Sequence, residues 1–196
     1  MPFDYTDAPP PSFELMPDGT VATVSTHIRP GGVGEDAMLK RSKAGNAEML
    51  DLEFTLIDGP YEGRKFWSNL LLVGTTEGQK KMAAGNLGVL KAIIDSALGL
   101  MPNDVSAEAR AARTVSIKQF EGMNFIAKIG VEKGGPKNDG SGNYPDKNVL
   151  AGVITKDKSG WHAVEQSPPF NGGGDGAAAP IPSAPAAAVE RPDWAR

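Results

Sequence analysis

Met49-Leu-Asp-Leu-Glu-Phe-Thr-Leu-Ile57 alternates apolar and polar residues, and Asp58-Gly-Pro-Tyr-Glu-Gly-Arg-Lys-Phe-Trp-Ser-Asn-Leu70 follows it directly. Alternation with period two marks a strand with one buried face, here Leu50, Leu52, Phe54 and Leu56. Gly59-Pro60 to Gly63 turns the chain. Arg64–Val73 then returns as a second strand of the hairpin, and it opens with two cations and two aromatics. Neighbouring side chains in a strand point to opposite faces, so Phe66 in the core places Lys65, Trp67 and Asn69 together outside.

Upstream of this hairpin, Thr20-Val-Ala-Thr-Val-Ser-Thr-His-Ile28 is rich in β-branched residues and reads as the first strand. A long Gly/Lys loop from Pro30 to Asn46 joins the two. Downstream, Thr75 or Thr76 caps a helix running to Leu98, with Met82, Leu87, Leu90, Ile94 and Leu98 at near-helical spacing. Gly85 and Gly88 imply either a helix packed closely on the sheet or one broken in two. Gly99 and Pro102 end it, and 106–112 adds a short helix. Met123–Val131 is the fourth strand, with Met123, Phe125, Ala127, Ile129 and Val131 inward. Residues 134–143 form a Gly-rich hairpin loop, and Asn148–Lys156 is the fifth strand. The expectation is a mainly β (β/α) fold: a five-stranded OB-fold barrel with its helix between strands three and four. That fold uses its loops between strands one and two and between strands four and five for nucleic acid, and these are the two longest loops here.

The chain has 196 residues. It divides into an extended acidic lead-in (1–18), the barrel (19–165) and a Pro/Gly/Ala-rich tail (166–196), whose composition predicts disorder. A core of ~150 residues buries about 68–70% of its unfolded surface and folds without metal or disulfide. The absence of cysteine excludes disulfides, thiolate metal sites and a Cys nucleophile. His27 and His162 are the only histidines, so a His-rich metal centre is not expected, nor is any cofactor. The acidic stretch Pro2–Asp7 stands where a secretory leader would be basic, and no apolar run spans a bilayer, so an intracellular protein with no membrane association is expected. The net charge of −4 is concentrated at the ends, which leaves the middle near neutral and unlike a strong duplex-DNA binder.

Lys65 beside Trp67 on a central strand is the combination that binders of single strands need: a π-surface for a base, with cations near the phosphates. Asn124, Ile126 and Lys128 are the matching outer face of strand four. The loop cations Arg29, Lys40, Arg41 and Lys43 outnumber Glu35 and Asp36 and are placed to close over phosphates. Tyr144 is a second candidate stacking residue. The competing readings are plain: Trp67 packs under the helix, the loop is merely solvated, and Tyr144 folds back on the barrel. Gly31-Gly32-Val33-Gly34 lacks the following Lys-Ser/Thr of a phosphate loop. Asp51 and Glu53 share an outer face, either as solvated carboxylates or as an acid/base pair, and nothing assembles a convincing active site. Arg64 is placed to brace the turn through Asp58 or Glu62. Trp194, in the tail, is either a docking motif for a partner or an accident of sequence.

From Glu48 to Leu70 the chain resembles a family of phage and prophage proteins encoded in replication and recombination modules. Their shared pattern is a Leu-x-Leu-x-Phe strand, an x-Gly-Pro-x-x-Gly-Arg turn and an aromatic-bearing strand followed by a helix, and the resemblance covers about residues 13–155. It implies an OB-fold, non-catalytic, sequence-tolerant single-stranded DNA-binding protein. Such a protein works beside a phage polymerase, helicase or recombinase in the cytoplasm of the host bacterial cell. The tail departs from the bacterial version, which ends in an acidic run capped by Phe, because Trp194 is followed by Arg196. Its phage or host replication and recombination partner is left open, as is a homo-oligomer. Two rival functions remain: a protein-interaction or virion accessory module on the same barrel, and a metal-dependent nuclease built on Asp51 and Glu53.

Overall fold

The hairpin at residues 49–70 lies at one side of the sheet: its first strand has partners on both edges, whereas its second, expected to be a central strand, pairs on one edge only. A computed structural model describes residues 14–166 apart from Asn138. Residues 1–13, the tail from 167 and Trp194 lie outside the described residues. The strands are β1 (Thr20–Ile28), β2 (Leu39–Arg41), β3 (Ala47–Leu56), β4 (Lys65–Gly74), β5 (Asn124–Glu132) and β6 (Lys147–Val153). They form one antiparallel sheet of six strands, so the protein is mainly β. The long helix α1 (Glu77–Leu98) and the short α2 (Ala107–Ala112) lie between β4 and β5.

Strand β3 pairs with β4 along one edge, from Ala47 to Thr55. Its other edge is shared: β1 pairs with Leu52–Leu56, and β2 takes over at Glu48–Leu50 where β1 has run out. The loop between the first two expected strands therefore contains a short strand that composition did not announce. On the far side β1 pairs with β5, and β5 with β6. Among the described residues no ladder joins β4 to β6, so the sheet remains unclosed.

The inward residues follow the alternation. Val24, Ile28, Leu50, Leu52, Phe54, Leu56, Phe66, Phe125 and Ile129 are all buried in one core. Phe54 is its centre, with its ring 5.0 Å from that of Phe66 and 5.6 Å from that of Phe125, the latter edge-on. Such pairs contribute about 0.5–1.5 kcal/mol beyond their buried area.

Helix α1 starts as its sequence requires. The Gln79 amide donates to Thr76 Oγ1, and Gln79 Oε1 accepts from the Thr76 N–H, a reciprocal capping box. It ends at Gly99 in the left-handed region (φ 64°), where a Cβ would also meet the Trp161 ring at 3.1 Å. The helix is continuous, and Gly85 and Gly88 face solvent with nothing within 4 Å of an added Cβ. Neither a break nor a close helix–sheet approach explains them. The buried stripe is Ala83, Leu90, Ile93, Ile94 and Ala97, whereas Met82 and Leu87 are exposed. Only part of the expected apolar face is used. No helix among the described residues is long and apolar enough to cross a membrane.

Two end segments complete the fold. Met16, expected within the lead-in, is buried in the core. Its N–H and C=O are both bound by the Asn148 side-chain amide, at 3.0 and 2.9 Å. Beyond β6, residues 154–166 lie against β5. Gln166 accepts from the Asn124 N–H and donates to the Asn124 C=O, both at 2.9 Å, as a neighbouring strand would. Asn124 and Ile126, expected on an open outer face, are buried. Asn124 lies against Glu165 and Gln166, and Ile126 between Ile154, which donates to its carbonyl, and Ser96 of α1, which accepts from its N–H.

Candidate nucleic-acid interface

The tight turn after β3 fixes which outer residues meet. Leu56 donates to the Arg64 carbonyl and accepts from Gly63, so counting back sets Thr55 opposite Lys65, Glu53 opposite Trp67 and Asp51 opposite Asn69. Phe66 is in the core and Trp67 is 48% exposed. The Trp67 indole N–H donates to Glu53 Oε2 at 2.9 Å, and Lys65 Nζ donates to Glu53 Oε1 at 2.6 Å. One carboxylate thus holds both candidate residues. The Lys65 hydrogen bond is the main reason that the Glu53 carboxyl lies below the usual glutamate range. Partial burial opposes it, and the Trp67 N–H adds to it.

Next along β3, Asp51 is buried and serves two cations. Lys40 Nζ is 3.4 Å and Arg29 Nη1 3.7 Å from Asp51 Oδ2. Arg41 pairs with Glu48 across β2 and β3 at 2.9 Å. Lys43 has no ion pair among the described residues and stands exposed in the turn between β2 and β3. Arg29, Lys40 and Arg41 are thus gathered along β3 as members of ion pairs, and Lys43 is not among them. Asp51 and Glu53 are not free carboxylates, because each is covered and paired.

Where β4 and β6 fail to pair, a cleft of about 940 Å³ opens, lined by Lys65, Trp67 and Asn69 from β4 and by Lys147 and Leu150 from β6. A smaller hollow of about 330 Å³ adjoins it through Glu132, Pro145 and Lys147, and Tyr144 lines that hollow. Tyr144 is exposed and does not fold back on the core. The loop that carries it is held by Asp146, which accepts from Lys133 at 2.6 Å and from the Gly134 N–H at 3.0 Å. That contact holds the Asp146 carboxyl below, and the Lys133 ammonium above, its ordinary range.

Lys128 does not join this surface. On β5 it lies opposite Val21 and lines neither the cleft nor the hollow. Arg64 braces neither Asp58 nor Glu62. It lies over the Tyr61 ring at 5.7 Å and donates to the Glu14 carbonyl. Asp58 instead accepts from the Thr23 N–H and hydroxyl. His27 Nδ1 is 2.7 Å from Glu121 Oε1, and His162 Nε2 is 3.4 Å from Thr23 Oγ1. No three His, Cys, Asp or Glu side chains among the described residues gather into a metal-binding group.

What sequence reasoning missed is the role of Glu53, weighed there as a solvated carboxylate or half of an acid/base pair and found here as the acceptor for both Lys65 and Trp67. Its signal was present in the register of the hairpin, which puts it opposite Trp67. Against models of protein families, curated proteins and solved structures, the chain shows no match.

Proposed function

We propose that the protein binds single-stranded DNA without sequence preference, on an OB-fold barrel formed by β1, β3, β4, β5 and β6 with β2 as an addition to the rim. The order β4-β3-β1-β5-β6 and the helix between the third and fourth of these strands support that reading. The observation that carries the function is the exposed Trp67 indole, held edge-on by Glu53 beside Lys65 at the mouth of a cleft that leads to Tyr144. Bases stack on Trp67 and on Tyr144. Arg29, Lys40, Arg41 and Lys43 face phosphates on the β2 side, and Lys128 lies outside this track. Work in phage replication or recombination rests on the sequence resemblance. The nuclease alternative is weakened by the ion pairs that occupy Asp51 and Glu53.

The test is a fluorescence titration with oligo-dT at several salt concentrations, comparing wild type with Trp67→Ala. The expected result is salt-sensitive binding that weakens by about 1–3 kcal/mol in the variant, the stacking of one base. No binding by wild type at low salt would sink the proposal. A protein-interaction role would then be pursued from the exposed apolar residues Val73, Met82 and Leu87.

A further inference from the structure

We infer that Glu53 makes the affinity of this face depend on bases rather than on phosphates, by holding Trp67 as a platform while withholding the charge of Lys65. The inference rests on the single-strand reading above and concerns how that surface tells unpaired bases from other polyanions.

Glu53 is the direct cross-strand partner of Trp67, and each of its carboxylate oxygens has one donor: the indole N–H and the Lys65 ammonium. The indole N–H bond fixes the edge of the ring against β3, which leaves a ring face to the solvent. An indole free to change rotamer would lose that order on each stacking event and weaken it. The same carboxylate cancels the nearest cation. Asp51 does likewise for Arg29 and Lys40, and Glu48 for Arg41. Phosphate contact by these cations must displace an internal partner, which reduces the counterion-release contribution that any phosphate chain, duplex included, would gain. Stacking has no such competitor. His27 faces Glu53 from β1 with its Nδ1 2.7 Å from Glu121 Oε1, so both oxygens of Glu53 are left to Lys65 and Trp67.

The experiment compares an oligo-dT with an abasic oligonucleotide of equal length, by anisotropy over a salt series. Glu53→Gln keeps an acceptor for the indole and removes the charge. It should retain the preference for oligo-dT, bind both oligonucleotides about fivefold more tightly at ~0.1 M salt, and steepen the salt slope by about 0.7. Adding Lys65→Ala to Glu53→Gln should cancel that gain. Glu53→Leu removes charge and acceptor together, so it should steepen the slope while reducing the oligo-dT preference roughly tenfold or more. Trp67→Phe removes one donor to Glu53 but leaves the Glu53–Lys65 pair, so it should lower the preference without changing the slope. An unchanged slope in Glu53→Gln, a gain that survives Lys65→Ala, or a full preference in Glu53→Leu overturns the inference. If wild type itself binds both oligonucleotides equally, the stacking reading fails first and takes this inference with it.

Discussion

At the scale of single residues, Glu53 ties charge to stability as well as to binding. Its folded carboxyl lies below the ordinary value of 4.5, chiefly through the Lys65 hydrogen bond. A depressed carboxyl pKa stabilises the folded state above the unfolded value, and the contribution fades as pH falls through the folded value. Wild type should therefore be more stable than Glu53→Gln at neutral pH. The difference should disappear once the pH drops well below 4.5, as read from urea unfolding at a series of pH values.

At the scale of elements, α1 carries two clear tests. Gly85 and Gly88 sit on its solvent face with open space around them. Gly85→Ala and Gly88→Ala should each raise stability by about 0.5–1 kcal/mol, because alanine costs less chain entropy in a helix. Had either glycine marked a close helix–sheet contact, thermal unfolding would show a loss instead. Near the other end of the helix, the buried Asp95 accepts from Lys91 and Arg113, both at 2.6 Å. Arg113 also donates to the carbonyls of Met101 and Asp104, which pins the segment leading to α2. Arg113→Ala should cost about 3 kcal/mol, at the low end for breaking a buried pair because Lys91 remains. Denaturant unfolding checks it.

For the whole molecule, the open side of the sheet is the decisive feature. The lower part of the gap between β4 and β6 is crossed by residues 14–16, with Glu14 held by Arg64 and Met16 by Asn148. Asn148→Ala removes both partners of the Met16 backbone and should destabilise the protein by about 1–3 kcal/mol. Faster hydrogen exchange at the Met16 amide would report the same loss locally. The remaining part of the gap is the cleft that joins Trp67 to the Tyr144 hollow. Incomplete closure of the sheet is thus what creates the candidate site.

Strand alternation, turn residues and helix caps act between near neighbours. The sequence by itself accordingly determined the order of the main strands, the start and end of α1, and the opposite facing of Phe66 and Trp67. The register of one tight hairpin also made Glu53 legible as the partner of Trp67. Other features depended on segments far apart in the chain. Asn124 and Ile126 lost their open face to residues 154–166 and to α1, β2 filled the edge of β3 that β1 had vacated, and Met82 and Leu87 were left exposed on a helix patterned to bury them. Only the tertiary structure decided these. Periodicity states which residues share a face, whereas long-range packing decides which stretch of chain covers that face, and no local pattern encodes it.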